Sequence, residues 1–349
     1  MATRGALSID GFALVVSVLV AVPTDTNLPV NSTSGEQFSI GVCYGMLGDN
    51  LPPPSEVVSL YRSNNIGRMR LYSPNQAALQ ALRNSNIQVL MDVPKEDLQS
   101  LASDPSTASD WVQSNVVANW PSVTFRYIAV GNEVIPGDLA RYVLPAMRNI
   151  RSALSSAGLQ DQIKVSTAVS TGVLGSSYPP SAGAFSSAAK TYLSPILQFL
   201  ASNAAPLFVN VYPYFTYEDN PNEVSLSYAL FTATGVVVQD GQFGYRNLFD
   251  AIVDAVHAAI EVEGSDVAIV VSESGWPSAG GTAASVSNAK TYNQNLIMHV
   301  GGGTLRRSGR AIETYIYEMF DENQKASGIE QKFGMFHPNK QPVYPISFS

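Results

Sequence analysis

The sequence predicts an α/β protein folded as a single (β/α)8 barrel of the TIM type. Three observations carry that expectation. Eight short apolar runs rich in β-branched and aromatic residues recur along the chain, and all but the last are followed by a stretch with helical spacing. The first run leads into Gly45-Met-Leu-Gly48 and three prolines, which is not the Gly-rich phosphate turn an open doubly wound sheet usually carries there. Two of the runs, Ile128-Ala-Val-Gly-Asn-Glu133 and Val270-Val-Ser-Glu-Ser-Gly-Trp-Pro277, stop abruptly around a glutamate. A carboxylate at the end of a buried strand is costly unless the strand opens onto water, as it does at a barrel mouth.

Taken in order, the expected strands are 38–44, 66–72, 87–93, 125–133, 164–170, 207–214, 267–276 and 313–321. Helical patterns fill the gaps at 52–64, 74–83, 95–101, 107–117, 139–157, 184–202, 245–262 and 283–300. In the fifth of these, Tyr142, Val143, Met147, Ile150 and Leu154 lie on one face of a helix. The longest gap separates the sixth and seventh strands. Its Val236-Val-Val238 and Asp240-Gly241 predict a small β-containing insertion. With no linker and no internal repeat, residues 38–349 form one expected domain, since barrels of this size fold as single units.

Of 349 residues, 45% are hydrophobic and 14% charged, which describes an ordinary globular core. A net charge of −8 with no basic run argues against a nucleic-acid partner. Residues 11–22 form an apolar block too short to span a bilayer and followed by a polar stretch. We therefore expect residues 1–37 to be a signal peptide and leader removed at least in part, and the protein to be secreted. Asn31-Ser-Thr33 is a glycosylation sequon inside that leader. No later segment predicts a membrane anchor. Cys43, the one cysteine, falls in an expected strand and reads as a small buried hydrophobe. His257, His299 and His337 show no metal-ligand spacing, so neither metal nor cofactor is expected.

In a barrel the C-terminal ends of the strands converge, which would bring Glu133 and Glu273 to one mouth. Cleaving a glycosidic bond needs one group to protonate the leaving oxygen and another carboxylate at the anomeric carbon. Asn132, beside Glu133, suits a sugar hydroxyl. Tyr72 and Tyr212, near the ends of the second and sixth strands, offer flat faces for a sugar ring. Ser272, Gly275, Trp276 and Pro277 shape the turn around Glu273, and Trp276 is a further candidate for substrate binding.

Val271-Ser-Glu-Ser-Gly-Trp-Pro-Ser278 resembles the signature of glycoside hydrolase family 17, the plant endo-β-1,3-glucanases and β-1,3-1,4-glucanases. Further matching stretches are Ile40-Gly-Val-Cys-Tyr-Gly45, Met69-Arg-Leu-Tyr72, Ala129-Val-Gly-Asn-Glu133, Asn210-Val-Tyr-Pro-Tyr-Phe215, Thr291-Tyr-Asn-Gln294, Met319-Phe-Asp-Glu-Asn-Gln-Lys325 and Phe333-Gly-Met-Phe336. The resemblance implies a (β/α)8 barrel and a retaining mechanism, with Glu133 as acid/base and Glu273 as nucleophile. It also implies supporting roles for Glu322, Lys325 and Glu330, and places Tyr72 and Tyr212 in the substrate groove. The implied partner is a β-glucan polysaccharide, attacked by a monomer in defence or cell-wall metabolism. Mixed-linkage glucan hydrolysis, transglycosylation and non-catalytic glucan binding remain the alternatives.

Overall fold

The structure, a computed structural model, describes residues 40–348. The apolar block, the sequon and the start of the first expected strand lie outside the described residues. Eight parallel strands close into a barrel: β1 (Gly41–Tyr44), β2 (Arg68–Leu71), β3 (Gln88–Val93), β4 (Thr124–Asn132), β5 (Lys164–Ser170), β6 (Leu207–Asn210), β7 (Ile269–Ser274) and β8 (Thr314–Ile316). Each pairs with its sequence neighbours, and β8 returns to β1 through Gly41 opposite Tyr315.

The outer ring is built from α1 (Pro54–Ser63), α2 (Gln76–Leu82), α3 (Leu98–Ser103), α4 (Pro105–Val112), α5 (Ala140–Ser156), α6 (Ser187–Ser202), α7 (Pro213–Asp219), α8 (Leu226–Ala229), α9 (Leu248–Val262) and α10 (Val286–His299). Their starts follow local chemistry. Asn75, Asp104, Ser186, Asn247 and Ser285 each accept a hydrogen bond from a backbone N–H of the first turn, while Pro54, Pro105 and Pro213 occupy positions that need no N–H partner.

Two strands end well before the point the sequence suggests. The sixth stops at Asn210, because Pro213 opens α7 and lifts Tyr212 and Tyr214 off the ladder. The eighth stops at Ile316, and the chain runs on through Tyr317 and Glu318 as irregular backbone. Between β6 and β7 the chain forms α7, α8 and an antiparallel pair, Val238–Asp240 with Phe243–Tyr245.

The apolar core has two parts. One lies between strands and helices. The other fills the barrel interior with Leu90, Tyr127, Ala129, Ala168, Phe208, Val270, Tyr315 and Cys43. Cys43 is fully buried and unpaired, and its thiol points to the Ser272 carbonyl at 3.5 Å. The N-terminal end of the barrel is closed by Glu313. It accepts hydrogen bonds from Arg126, Tyr127 and Tyr315 at 3.0 to 3.2 Å. With that end plugged, the opposite mouth is the open one.

Candidate active site

Glu133 and Glu273 both line a cavity of about 220 Å³ at the C-terminal mouth, together with Gly45, Met46, Leu47, Tyr72, Asn132, Tyr317, Glu322 and Lys325. Larger hollows exist, of about 850 Å³ beside Phe231 and His299 and about 540 Å³ at the plugged end beside Glu313. Size does not select the site. The convergence of carboxyls with matched donors does.

The strand ends aim these side chains. β4 finishes through Gly131 at φ +83° and Glu133 at φ +54°, a left-handed turn that ends pairing abruptly. The Glu133 N–H still reaches the Ala168 carbonyl at 2.9 Å. β7 loses its regular register with β6 between Val271 and Glu273, a bulge that re-aims the glutamate.

Glu273 is buried at the mouth and surrounded by donors. Tyr72 Oη gives a hydrogen bond to Oε1 at 2.8 Å, Arg70 Nη1 to the same oxygen at 2.9 Å, and Tyr212 Oη to Oε2 at 2.7 Å. Burial and the neighbouring Glu273 push both tyrosine hydroxyls well above their usual range, so they stay protonated and donate. Arg70 is itself fully buried. Burial works against its charge, but Asp92, Tyr72 and Glu273 outweigh that and keep it a cation. Arg70 Nε and Nη2 clamp Asp92 at 3.2 and 2.7 Å.

Asn210 bonds Glu133 directly and reaches Glu273 only through Arg70. Its Nδ2 donates to Glu133 Oε1 at 2.8 Å and to Asn132 Oδ1 at 3.0 Å, while its Oδ1 accepts from Ser272 Oγ at 2.7 Å and faces Arg70 Nη1 at 3.4 Å. Glu322 and Lys325 form the opposite wall. Lys325 Nζ lies 2.5 Å from Glu322 Oε2, and Glu322 Oε1 takes the Leu47 N–H. Burial raises Glu322, but the neighbouring Glu318, the Lys325 ammonium and the Leu47 N–H outweigh it and hold the carboxyl below its usual range.

Several expectations need revision. Trp276 is not a groove residue. It is fully buried, packed edge-on against Tyr214 at 5.0 Å, and its Nε1 donates to the Ala283 carbonyl at 3.0 Å. The turn after Glu273 folds the indole back into the core, where its N–H is satisfied by backbone. Tyr72 lines the cavity and Tyr212 does not, and the hydroxyls of both hold Glu273. Glu330 sits half-buried in the turn Ile329–Gln331 and does not line the cavity. Sequence reasoning passed over Arg70, Asp92, Asn210, Tyr317 and Glu318. A signal was present for the first two: opposite charges inside neighbouring apolar strands must be paired if buried.

A parallel eight-stranded barrel whose mouth brings two glutamates into one cleft belongs to the glycosidase class of barrels. This chain belongs to the glycosyl hydrolases family 17, whose model matches residues 40–348. It is 60% identical over 91% of its length to the glucan endo-1,3-beta-glucosidase of Vitis vinifera, covering 93% of that protein. It is 57% identical over 88% of its length to the basic isoform from Phaseolus vulgaris, covering 90% of that protein. Among solved structures it is similar to a plant beta-glucan endohydrolase, at 54% identity and a TM-score of 0.86, over 88% of this chain and 100% of that one. It is likewise similar to a beta-1,3-glucanase and allergen of Cryptomeria japonica pollen, at 48% identity and a TM-score of 0.87, over 89% and 99%.

Proposed function

We propose that the protein is an endo-acting β-1,3-glucan hydrolase that retains configuration at the anomeric carbon. The observation that carries this reading is the placement of Glu133 and Glu273 in one cleft, linked through Asn210 and Arg70, with Glu273 held as an acceptor by Tyr72, Tyr212 and Arg70. Family membership and the names of the relatives support the linkage and the endo action.

In the first step Glu133 gives its proton to the glycosidic oxygen while a Glu273 oxygen bonds to the anomeric carbon. The C–O bond to the leaving sugar breaks, and an ester joins the remaining glucan to Glu273. Glu133, now ionised, then removes a proton from water as that water attacks the same carbon. The ester breaks, Glu273 returns as carboxylate, and Glu133 is protonated again. As the ester forms, negative charge leaves Glu273, and Arg70 and the two tyrosines keep that oxygen pair oriented throughout.

The apolar block at 11–22 supports action outside the cell. Since one chain supplies every group of the cleft, the reading needs no second subunit. No helix among the described residues is long and apolar enough to cross a membrane. Initial rates on laminarin and on mixed-linkage β-1,3-1,4-glucan test the proposal. Faster release of reducing ends from laminarin is expected, with a fall in viscosity early in the reaction. Preference for the mixed-linkage polymer would overturn the linkage, and release of glucose alone would overturn the endo action.

A further inference from the structure

Lys325 stands in the cleft wall above two carboxyls. Glu318 and Glu322 are both buried, with side chains 1% and 0% exposed. Counting donors leaves two carboxyl oxygens without one. The ammonium of Lys325 donates hydrogen bonds to Glu318 Oε1 at 2.6 Å and to the Tyr317 hydroxyl, and stands 2.5 Å from Glu322 Oε2 as an ion pair. Glu322 Oε1 already takes the Leu47 N–H. Glu318 Oε2 and Glu322 Oε2 are both buried, and neither receives a hydrogen bond from the protein.

The two orphan oxygens face the same small space. A Cβ placed on Gly45 would come within 2.4 Å of each, so glycine is what lets them approach the β1 end together. Two adjacent carboxylates sharing one cation in a dry site do not both ionise. Burial, and then the adjacent Glu322, push Glu318 well above the usual carboxyl range against the pull of Lys325.

We propose that Glu318 is a positioning residue that carries a proton shared with Glu322, and that this protonated pair holds Lys325 and, through it, the Tyr317 hydroxyl in the wall of the cleft. The Glu318 O–H donates to Glu322 Oε2 while its carbonyl oxygen accepts from Lys325. Tyr317 Oη accepts from Lys325, which leaves the phenol proton as a donor, and Tyr317 lines the cleft beside Glu273. Its ring is fixed edge-on against Tyr72 and Tyr212, at 6.4 and 6.0 Å, the two residues that hold Glu273. Glu318, which does not line the cavity, therefore sets this wall of the cleft without touching substrate.

The kinetic part of this inference rests on the hydrolase reading; the proton itself does not. Glu318→Gln preserves both bonds, the amide oxygen accepting from Lys325 and the amide nitrogen donating to Glu322. It is expected to keep kcat/KM on laminarin within about twofold of the parent enzyme. Glu318→Leu removes both bonds and is expected to lower kcat/KM by about tenfold or more, chiefly through KM. An infrared difference spectrum of parent minus Glu318→Gln at neutral pH is expected to show the carbonyl stretch of a protonated carboxylic acid. Equal damage from Gln and Leu, parent-like kinetics in the Leu variant, or absence of that band would each overturn the proposal. If Glu318→Leu fails to fold, the Gln variant and the spectrum still decide. A parent protein that cleaves no β-glucan would sink the hydrolase reading and leave the infrared result standing.

Discussion

Glu273 and Asn210 show how much of this site depends on donors supplied by neighbours. Asn210 bonds Glu133 and also faces Arg70, the cation on Glu273. Asn210→Ala is expected to lower kcat by about 10²–10³-fold, the usual scale for losing one preorganised donor, with melting temperature changed far less. Steady-state kinetics beside a thermal melt checks this. A second residue-scale expectation concerns His257, buried on α9. Burial, with Arg307 and Arg306 nearby, brings its pKa down to about 4. The unfolded chain therefore binds more protons than the folded one between about pH 6.5 and pH 4. Stability from this site is present above that window and falls with pH inside it, by an upper bound of about 3 kcal/mol. His257→Gln is expected to flatten the acid side of the melting-temperature profile; an unchanged slope would show that other groups set it.

Elements divide the molecule into a working end and a structural end. Glu313 precedes β8 at the plugged end and holds Arg126, Tyr127 and Tyr315. Glu313→Ala leaves Arg126 and the phenols without their acceptor and is expected to cost about 3 kcal/mol of stability. KM and kcat on laminarin should stay near the parent values at temperatures where the variant is folded. The same division explains what was legible in the sequence. Strands and helices carried period and composition, so the barrel and the two strand-end glutamates could be read directly. The ends of β6 and β8 could not, because Tyr212, Tyr214 and Tyr317 have strand-like composition but belong to a helix start and to irregular backbone. Trp276 was misplaced for a related reason. An aromatic beside a catalytic motif points to the cleft only if the turn aims it there, and this turn aims it into the core. Glu318 stayed hidden because burial of a charged residue in irregular chain leaves no periodic trace.

At the scale of the whole molecule, the chain carries a net charge of −8 around a cleft meant for an uncharged polymer. Charge does not steer such a substrate, so kcat/KM on laminarin is expected to change by less than about twofold from low to physiological salt. A steep salt dependence would point to a charged ligand. The barrel brings two acids remote in sequence into one cleft, and their joint action as a reaction centre is the central proposal. Incubation with a 2-deoxy-2-fluoro β-1,3-linked glucosyl fluoride, followed by peptide mass mapping, tests it most directly, because slow deglycosylation lets the ester accumulate. The account predicts a single fluoroglycosyl label on the peptide bearing Glu273, lost in Glu273→Gln. A label on Glu133 or Glu322, or full turnover with no label on any peptide, would contradict it.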